Sequence, residues 1–215
     1  MAKRGVWGAA AVASLLGFLA LTAFVTHHGF DGTDQVARAF VHRPALTFLR
    51  PAMEAVSFAG GNIGEAVIVS LAAALLWRPR RRWSIALPLV MLGIAILAPA
   101  LKWAVDRPRP NLDPWGFPSG HVMSVVVLSG YLAYVVGMST RRVARCITLW
   151  AAIVATMAFS RMYLDAHWLS DVLGGFAVGI TYLLAAVAVI GPISRRREAA
   201  EGATSEPAAV ASVAA

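Results

Sequence analysis

The sequence predicts an all-α membrane protein, a bundle of six transmembrane helices. Three observations predict it. Only 14% of the 215 residues are charged, where a soluble domain carries about 25%. Apolar runs recur along the chain, each near the ~20 residues a helix needs to cross hydrocarbon. Lysine and arginine collect in alternate connections between those runs, as the positive-inside rule describes. A spanning segment must satisfy its backbone polar groups internally, so each run reads as a helix.

The first run, Gly5–Val25, carries no charge and follows Lys3 and Arg4. It exceeds the roughly 7–15-residue core of a signal peptide, so a retained anchor is expected. Gly60–Trp77 is interrupted only by Glu65, close to its start. Trp83–Leu101, Val122–Thr140, Cys146–Phe159 and Val172–Ile193 complete the set. Cys146–Phe159 is short, and its helix is expected to extend through Ser160. The connection Thr26–Ala59 is the longest and contains apolar pairs such as Phe48 and Leu49. Short interfacial helices are expected there. Residues 198–215 are rich in Ala, with Ser, Glu and Pro and no aromatic residue. They read as a disordered cytoplasmic tail, which leaves 1–197 as one six-helix membrane domain.

Orientation follows from the basic residues. Lys3, Arg4, Arg78, Arg80, Arg81, Arg82, Arg141, Arg142, Arg145, Arg195, Arg196 and Arg197 fall on one side, twelve in all. Seven fall on the other: Arg38, Arg43, Arg50, Lys102, Arg107, Arg109 and Arg161. Acidic residues run the opposite way, three against eight. Both termini are therefore expected in the cytoplasm. The net charge of +8 would suggest nucleic acid in a soluble protein. Here the distribution serves membrane orientation, and no nucleic-acid partner is expected. The lone cysteine, Cys146, rules out an intramolecular disulfide framework and a cysteine metal cluster.

Basic residues on the outer side of a membrane protein need an explanation. Lys102 closes the third apolar run, and Arg107 and Arg109 follow in a segment broken by Pro108, Pro110, Pro114 and Pro118. Ser119, Gly120 and His121 open the fourth helix, where unpaired N–H groups and the helix dipole favour an anion. Gly120 lets backbone approach a ligand closely. Arg109 and Arg161 can grip phosphate oxygens through paired donors, and Lys102 adds a point charge. His167 and Asp171 are four residues apart, so on a helix they share a face. A carboxylate there can fix the imidazole tautomer. The carboxylate cluster of a two-metal phosphatase is not evident, so no metal or cofactor is expected and phosphoryl transfer by side-chain cations is the chemistry the residues suit.

Each residue has a bland reading as well. Lys102 can pair with Asp106 or snorkel, Ser119 can be an ordinary N-cap, and His167–Asp171 can be a structural pair. Arg107 reads as a solvated or headgroup contact outside the site. His27, His28 and His42 have no obvious partners and read as interfacial. Gly175 and Gly179 form a small-xxx-small pattern that favours helix packing. The combination is what carries weight.

That combination resembles the type 2 phosphatidic acid phosphatases, whose phosphate site is shared with vanadium haloperoxidases. The signature reads Lys102 with six residues before Arg109-Pro110, then Pro118-Ser119-Gly120-His121, then Ser160-Arg161, His167 and Asp171. The resemblance implies that His167 attacks phosphorus, Asp171 orients it, and His121 acts as general acid and then base. It further implies that Lys102, Arg109, Ser119, Gly120 and Arg161 hold the phosphate, with the site at the outer face. A bell-shaped pH–rate profile is then expected. Asp165 departs from the small residue often found there; it could repel phosphate or brace Arg161.

The implied substrate is a lipid phosphate or diphosphate in the bilayer: phosphatidic acid, phosphatidylglycerol phosphate or, as first choice, a polyprenyl diphosphate in a bacterial inner membrane. A lipid phosphotransferase using the same histidine is the main alternative. A transporter fits less well, because the charges gather at one edge and no inverted repeat is visible. A haloperoxidase would be expected to be soluble.

Overall fold

The computed structural model describes residues 2–28, 32–42, 44–140 and 142–213, with side chains for all of these except 2–5, 44–46, 138–140 and 192–213. The described residues form helices and no strand. In order they are α1 (Ala2–His28), α2 (Gly32–Val41), a 3₁₀ helix (Pro44–Leu49), α3 (Arg50–Ala59), α4 (Asn62–Trp77), α5 (Arg81–Val105), α6 (Gly120–Thr140), α7 (Val143–Tyr163) and α8 (Leu169–Val213).

Among the described residues, five helices contain stretches long and apolar enough to cross a membrane: Val6–His28, Arg81–Val105, Gly120–Gly137, Val143–Tyr163 and Leu169–Gly191. A sixth crossing needs two pieces, Thr47–Ala59 and Asn62–Trp77, bent by 60°. The single straight span read over Gly60–Trp77 is thus too short by itself: 16 residues rise about 24 Å against roughly 30 Å of hydrocarbon. The bend is sited by glycine. A Cβ on Gly64 would sit 2.4 Å from the Phe58 carbonyl oxygen, so only glycine lets α4 start this close to the end of α3.

Helix α6 is the centre of the bundle and packs on α5, α7 and α8. Of its spanning window 61% is buried inside the protein, against 11–33% for the other four. Trp83, Leu87, Ile94, Met123, Val127 and Tyr131 form the main core, and Val122, Val126, Val154, Met157 and Val172 a smaller one. Outward faces carry Leu15, Leu71, Leu89, Ile96, Ile147 and Val189, which suits a hydrocarbon solvent. Several polar groups inside the bundle find backbone acceptors: Tyr131 Oη donates to Trp83 O at 2.7 Å, Tyr182 Oη to Val90 O at 2.9 Å and Ser84 Oγ to Ala73 O at 2.6 Å. In an apolar surround an unmade bond of this kind is costly.

The segment read as a disordered tail continues α8 as far as Val213. Its alanines have the highest helix propensity of any residue. Its side chains lie outside those described.

Candidate active site

Three chain segments meet at one end of the bundle. The first is the end of α5 with the loop to α6. Helix α5 stops because Asp106 adopts φ 45°, and its N–H caps Lys102 O at 2.9 Å. The side-chain pair read between Lys102 and Asp106 does not form, since the helix ends between them. Lys102 Nζ instead donates to Trp115 O at 2.6 Å, drawing the loop over the ammonium. The prolines leave the loop to fold by turns: Leu112 N–H donates to Arg109 O at 2.9 Å, and Gly116 N–H to Arg107 O at 2.6 Å.

The second segment opens α6. Ser119 O accepts the first helical bond from Met123 N–H at 3.0 Å, while Ser119 N–H donates to Asp171 O at 2.9 Å. This ties the start of α6 to the start of α8. Gly120 lies against Lys102, whose Cε would be 3.5 Å from an added Cβ. His121 Nε2 faces the α3–α4 bend at Gly61.

The third segment runs from the end of α7 into α8. Ser160 Oγ donates to Met53 O at 2.7 Å, and Arg161 Nη1 donates to Ser57 Oγ. Ala166 and His167 N–H groups both turn back to Arg161 O. Helix α8 begins only at Leu169, so His167 stands outside it. Asp171 reaches back instead: its Oδ2 accepts from Trp168 N–H at 2.9 Å and faces His167 Nδ1 at 3.5 Å. The four-residue spacing therefore pairs the two residues through a helix start and not along a shared helix face.

All eight sequence-predicted site residues fall in this cluster. Lys102, Arg109, His121, Arg161, His167 and Asp171 lie within electrostatic range of one another, and Ser119 and Gly120 sit between them. Among the described residues, Arg109 Nε, Ser119 Oγ, Arg161 Nε and His167 Nδ1 are buried without a hydrogen-bond partner. Three donors of this kind beside a helix N-terminus make a seat for an anion. Burial pushes the His167 imidazole down to about 4; Asp171 opposes that shift, while Lys102 and Arg161 add to it. His167 is therefore neutral at pH 7, as a nucleophile must be. Among the described residues no group of three or more His, Cys, Asp or Glu is placed to hold a metal ion.

Two sequence expectations, on Arg107 and His42, are corrected, and Asp165, which the sequence leaves unassigned, is placed. Arg107, read as a solvated or headgroup contact, is 4% exposed. Its Nη1 donates to Asp171 Oδ1 at 2.5 Å and to Ser170 Oγ at 2.7 Å, and its Nη2 to Asp34 Oδ2 at 2.7 Å. Asp165 does not brace Arg161. It takes φ 53° and pairs with Arg38 at 2.7 Å and with His42 at 3.0 Å, so His42 does have a partner. Burial alone would raise the Asp165 carboxyl, but the Arg38 hydrogen bonds and His42 hold it below the ordinary carboxylate range. Asp34 was missed altogether; nothing local in the sequence marks it.

Residues 83–195 match the PAP2 superfamily. The chain is also 32% identical over 156 residues to decaprenylphosphoryl-5-phosphoribose phosphatase of Mycobacterium tuberculosis, covering 68% of this chain and 81% of that one. The chain belongs to the PAP2 superfamily. It is a membrane hydrolase of that family. Phosphatidylglycerophosphatase B of Bacillus subtilis (strain 168) is 26% identical over 183 residues, 79% of this chain and 89% of the relative. The crystal structure of a transmembrane PAP2-type phosphatidylglycerolphosphate phosphatase from Bacillus subtilis superposes with a TM-score of 0.75 at 22% identity, covering 86% of this chain and 98% of that one. At that identity the likeness speaks for the fold.

Proposed function

We propose that this PAP2 hydrolase removes phosphate from a membrane lipid through a phosphohistidine on His167, at the outer face of the bilayer. The observation that carries it is the set of buried donors without partners, Arg109 Nε, Ser119 Oγ and Arg161 Nε, gathered around a neutral histidine at a helix N-terminus. With Nδ1 turned to Asp171, Nε2 is the nitrogen that attacks. A bond forms from Nε2 to phosphorus, the phosphorus–oxygen bond to the lipid breaks, and His121 gives its proton to the departing oxygen. Water then attacks phosphorus, His121 takes the water's proton, the P–N bond breaks and inorganic phosphate leaves. Lys102, Arg109, Arg161 and the Ser119–Gly120 backbone meet the charge on the equatorial oxygens. These cations are side chains, so the reaction proceeds in EDTA.

A lipid substrate is supported by a cavity of about 430 Å³ between α4, α6 and α7. Its wall on α6 begins at Ser124 and Val125, one turn from His121, and continues past Leu128 with Ile153 and Met157 opposite. That is the leaving-group side of the phosphate. The names of the two relatives describe lipid-linked phosphates as well. The substrate class is thus a phosphomonoester or diphosphate on a lipid anchor, with phosphatidic acid, phosphatidylglycerol phosphate and polyprenyl diphosphate as the forms to compare. The outer placement rests on the arginine distribution between connections.

The test is phosphate release from those lipids by detergent-purified protein in EDTA, beside His167→Ala. Release by the parent and none by the variant is expected. Transfer of the phosphoryl group to a second lipid without free phosphate would mark a transferase instead. Undiminished release by His167→Ala would overturn the nucleophile assignment.

A further inference from the structure

We propose that helix α2 is part of the catalytic apparatus, with Asp34 and Arg107 acting as positioning residues for Asp171 and, through it, for His167. The proposal rests on the phosphatase reading above.

A carboxylate that orients a histidine must keep one oxygen on the imidazole. Rotation about its Cβ–Cγ bond has to be blocked from the other side. Asp171 Oδ2 faces His167 Nδ1 and takes the Trp168 N–H. Its Oδ1 is held by Arg107 Nη1 at 2.5 Å. Arg107 is in turn held by Asp34, whose Oδ2 accepts from Nη2 at 2.7 Å. Asp34 is fixed on the start of α8, with Oδ1 accepting from Ser170 N–H at 2.9 Å and Oδ2 from Ser170 Oγ at 2.6 Å. The chain of groups is Asp34, Arg107, Asp171, His167, and none is more than 4% exposed.

Helix α2 grips the same turn from its other end. Arg38 and His42 hold Asp165, two residues before His167, and the Arg38 guanidinium lies 5.9 Å from the Trp168 ring centroid. The nucleophile is therefore clasped on both sides by one short helix.

Stability does not account for this arrangement. A buried ion pair or triad is commonly no more stable than apolar groups of the same volume. What a fixed network of charges does supply is a single geometry for the groups it touches. Here the group at its end is the carboxylate that faces the nucleophile.

The experiment uses the full chain in detergent with the lipid phosphate it hydrolyses best. Asp34→Ala, Asp34→Asn and Arg107→Lys are each made in the parent and in an Asp171→Asn background. kcat, KM and melting temperature are recorded for all. If the role is positioning, Asp34→Ala lowers kcat by about 10- to 100-fold with KM within about two-fold, a size set by sub-ångström misplacement of a reacting group. Asp34→Asn keeps acceptors for Ser170 and falls between parent and Asp34→Ala. In the Asp171→Asn background the Asp34→Ala loss shrinks to within about two-fold, because both changes break one pathway. Should Asp34→Ala fail to fold, the Asn variant carries the same cycle. Parental kcat in the Asp34 variants overturns the proposal, as does an undiminished loss in the Asp171→Asn background. A parent that hydrolyses no lipid phosphate sinks the phosphatase reading and this role with it; an active parent beside equally active Asp34 variants sinks this role alone.

Discussion

Gly175→Ala is a one-methyl change that separates site geometry from stability. A Cβ there would lie 2.5 Å from Ser119 O and 3.3 Å from Ser119 C and Cβ. Ordinary contact begins near 3.4 Å, so α8 and the Ser119 backbone must part by about 0.9 Å. The obstructing atom is backbone at the entry to α6, where no rotamer change can yield. Two stability effects oppose each other. Replacing a helical glycine by alanine gains about 0.5–1 kcal/mol, while overpacking costs about 1–3 kcal/mol. The net loss is then about 0–2.5 kcal/mol, at most several degrees in melting temperature. Catalysis is hit harder. Ser119 is a proposed phosphate donor whose N–H is tied to Asp171 O, so a shift approaching 1 Å separates α6 from the proposed nucleophile, a displacement that can cost about 100-fold in rate. The assay is lipid phosphate hydrolysis with thermal unfolding followed on the same sample. Gly137→Ala is the control, its nearest neighbour being Cys146 at 3.8 Å. Parental kcat for Gly175→Ala, or a rate loss no larger than in Gly137→Ala, would refute the claim that this seam sets the site.

Ser119→Ala removes a buried hydroxyl with no partner, so stability is expected to hold or rise slightly while kcat falls about 10- to 100-fold, the value of one donor to a charged group; melting and turnover measured together check it. The acid limb of kcat/KM assigned to His167 is expected near pH 4, well below that of an exposed imidazole, because burial disfavours its proton. Asp171 is what raises that imidazole, so Asp171→Asn should move the limb further down, and a limb left at pH 6 to 7 in the parent would count against the nucleophile's placement. Asp165→Asn should cost only about 0–1 kcal/mol, since the pair is part-exposed. The Asp165 carboxyl sits below its ordinary range in the fold, so its contribution is present above about pH 4 and disappears as pH falls through the lowered value; unfolding curves of parent and variant should converge in acid.

The candidate site was legible in the sequence because its residues are out of place. Lysine, arginine and histidine at the ends of apolar helices stand out in a chain with so little charge, and Pro118 to His121 announce a helix entry. What was not legible is what local spacing cannot encode. Asp34 meets Ser170 across 136 positions, and no periodicity links them. Arg107 and Arg109 differ by two residues in a run of prolines, yet the first turns to Asp171 and Asp34 while the second lies within electrostatic range of Lys102, His121 and Arg161. Besides His167 with Asp171, two readings assumed helix where the backbone breaks it. Lys102 with Asp106 and Arg161 with Asp165 are both four apart, and in each the acidic residue adopts positive φ and leaves the helix. The sixth span fails as a straight helix for a related reason, the glycines at 60, 61 and 64 that let the chain bend.

The central claim is covalent attack by His167. Its most direct test is rapid quenching of the enzyme with a lipid phosphate labelled at the terminal phosphorus. The account predicts label bound to the protein through a base-stable, acid-labile bond, enriched in His121→Ala, where water is no longer activated, and missing from His167→Ala. Label retained in His167→Ala, or rapid turnover in which the parent never carries label, would contradict it.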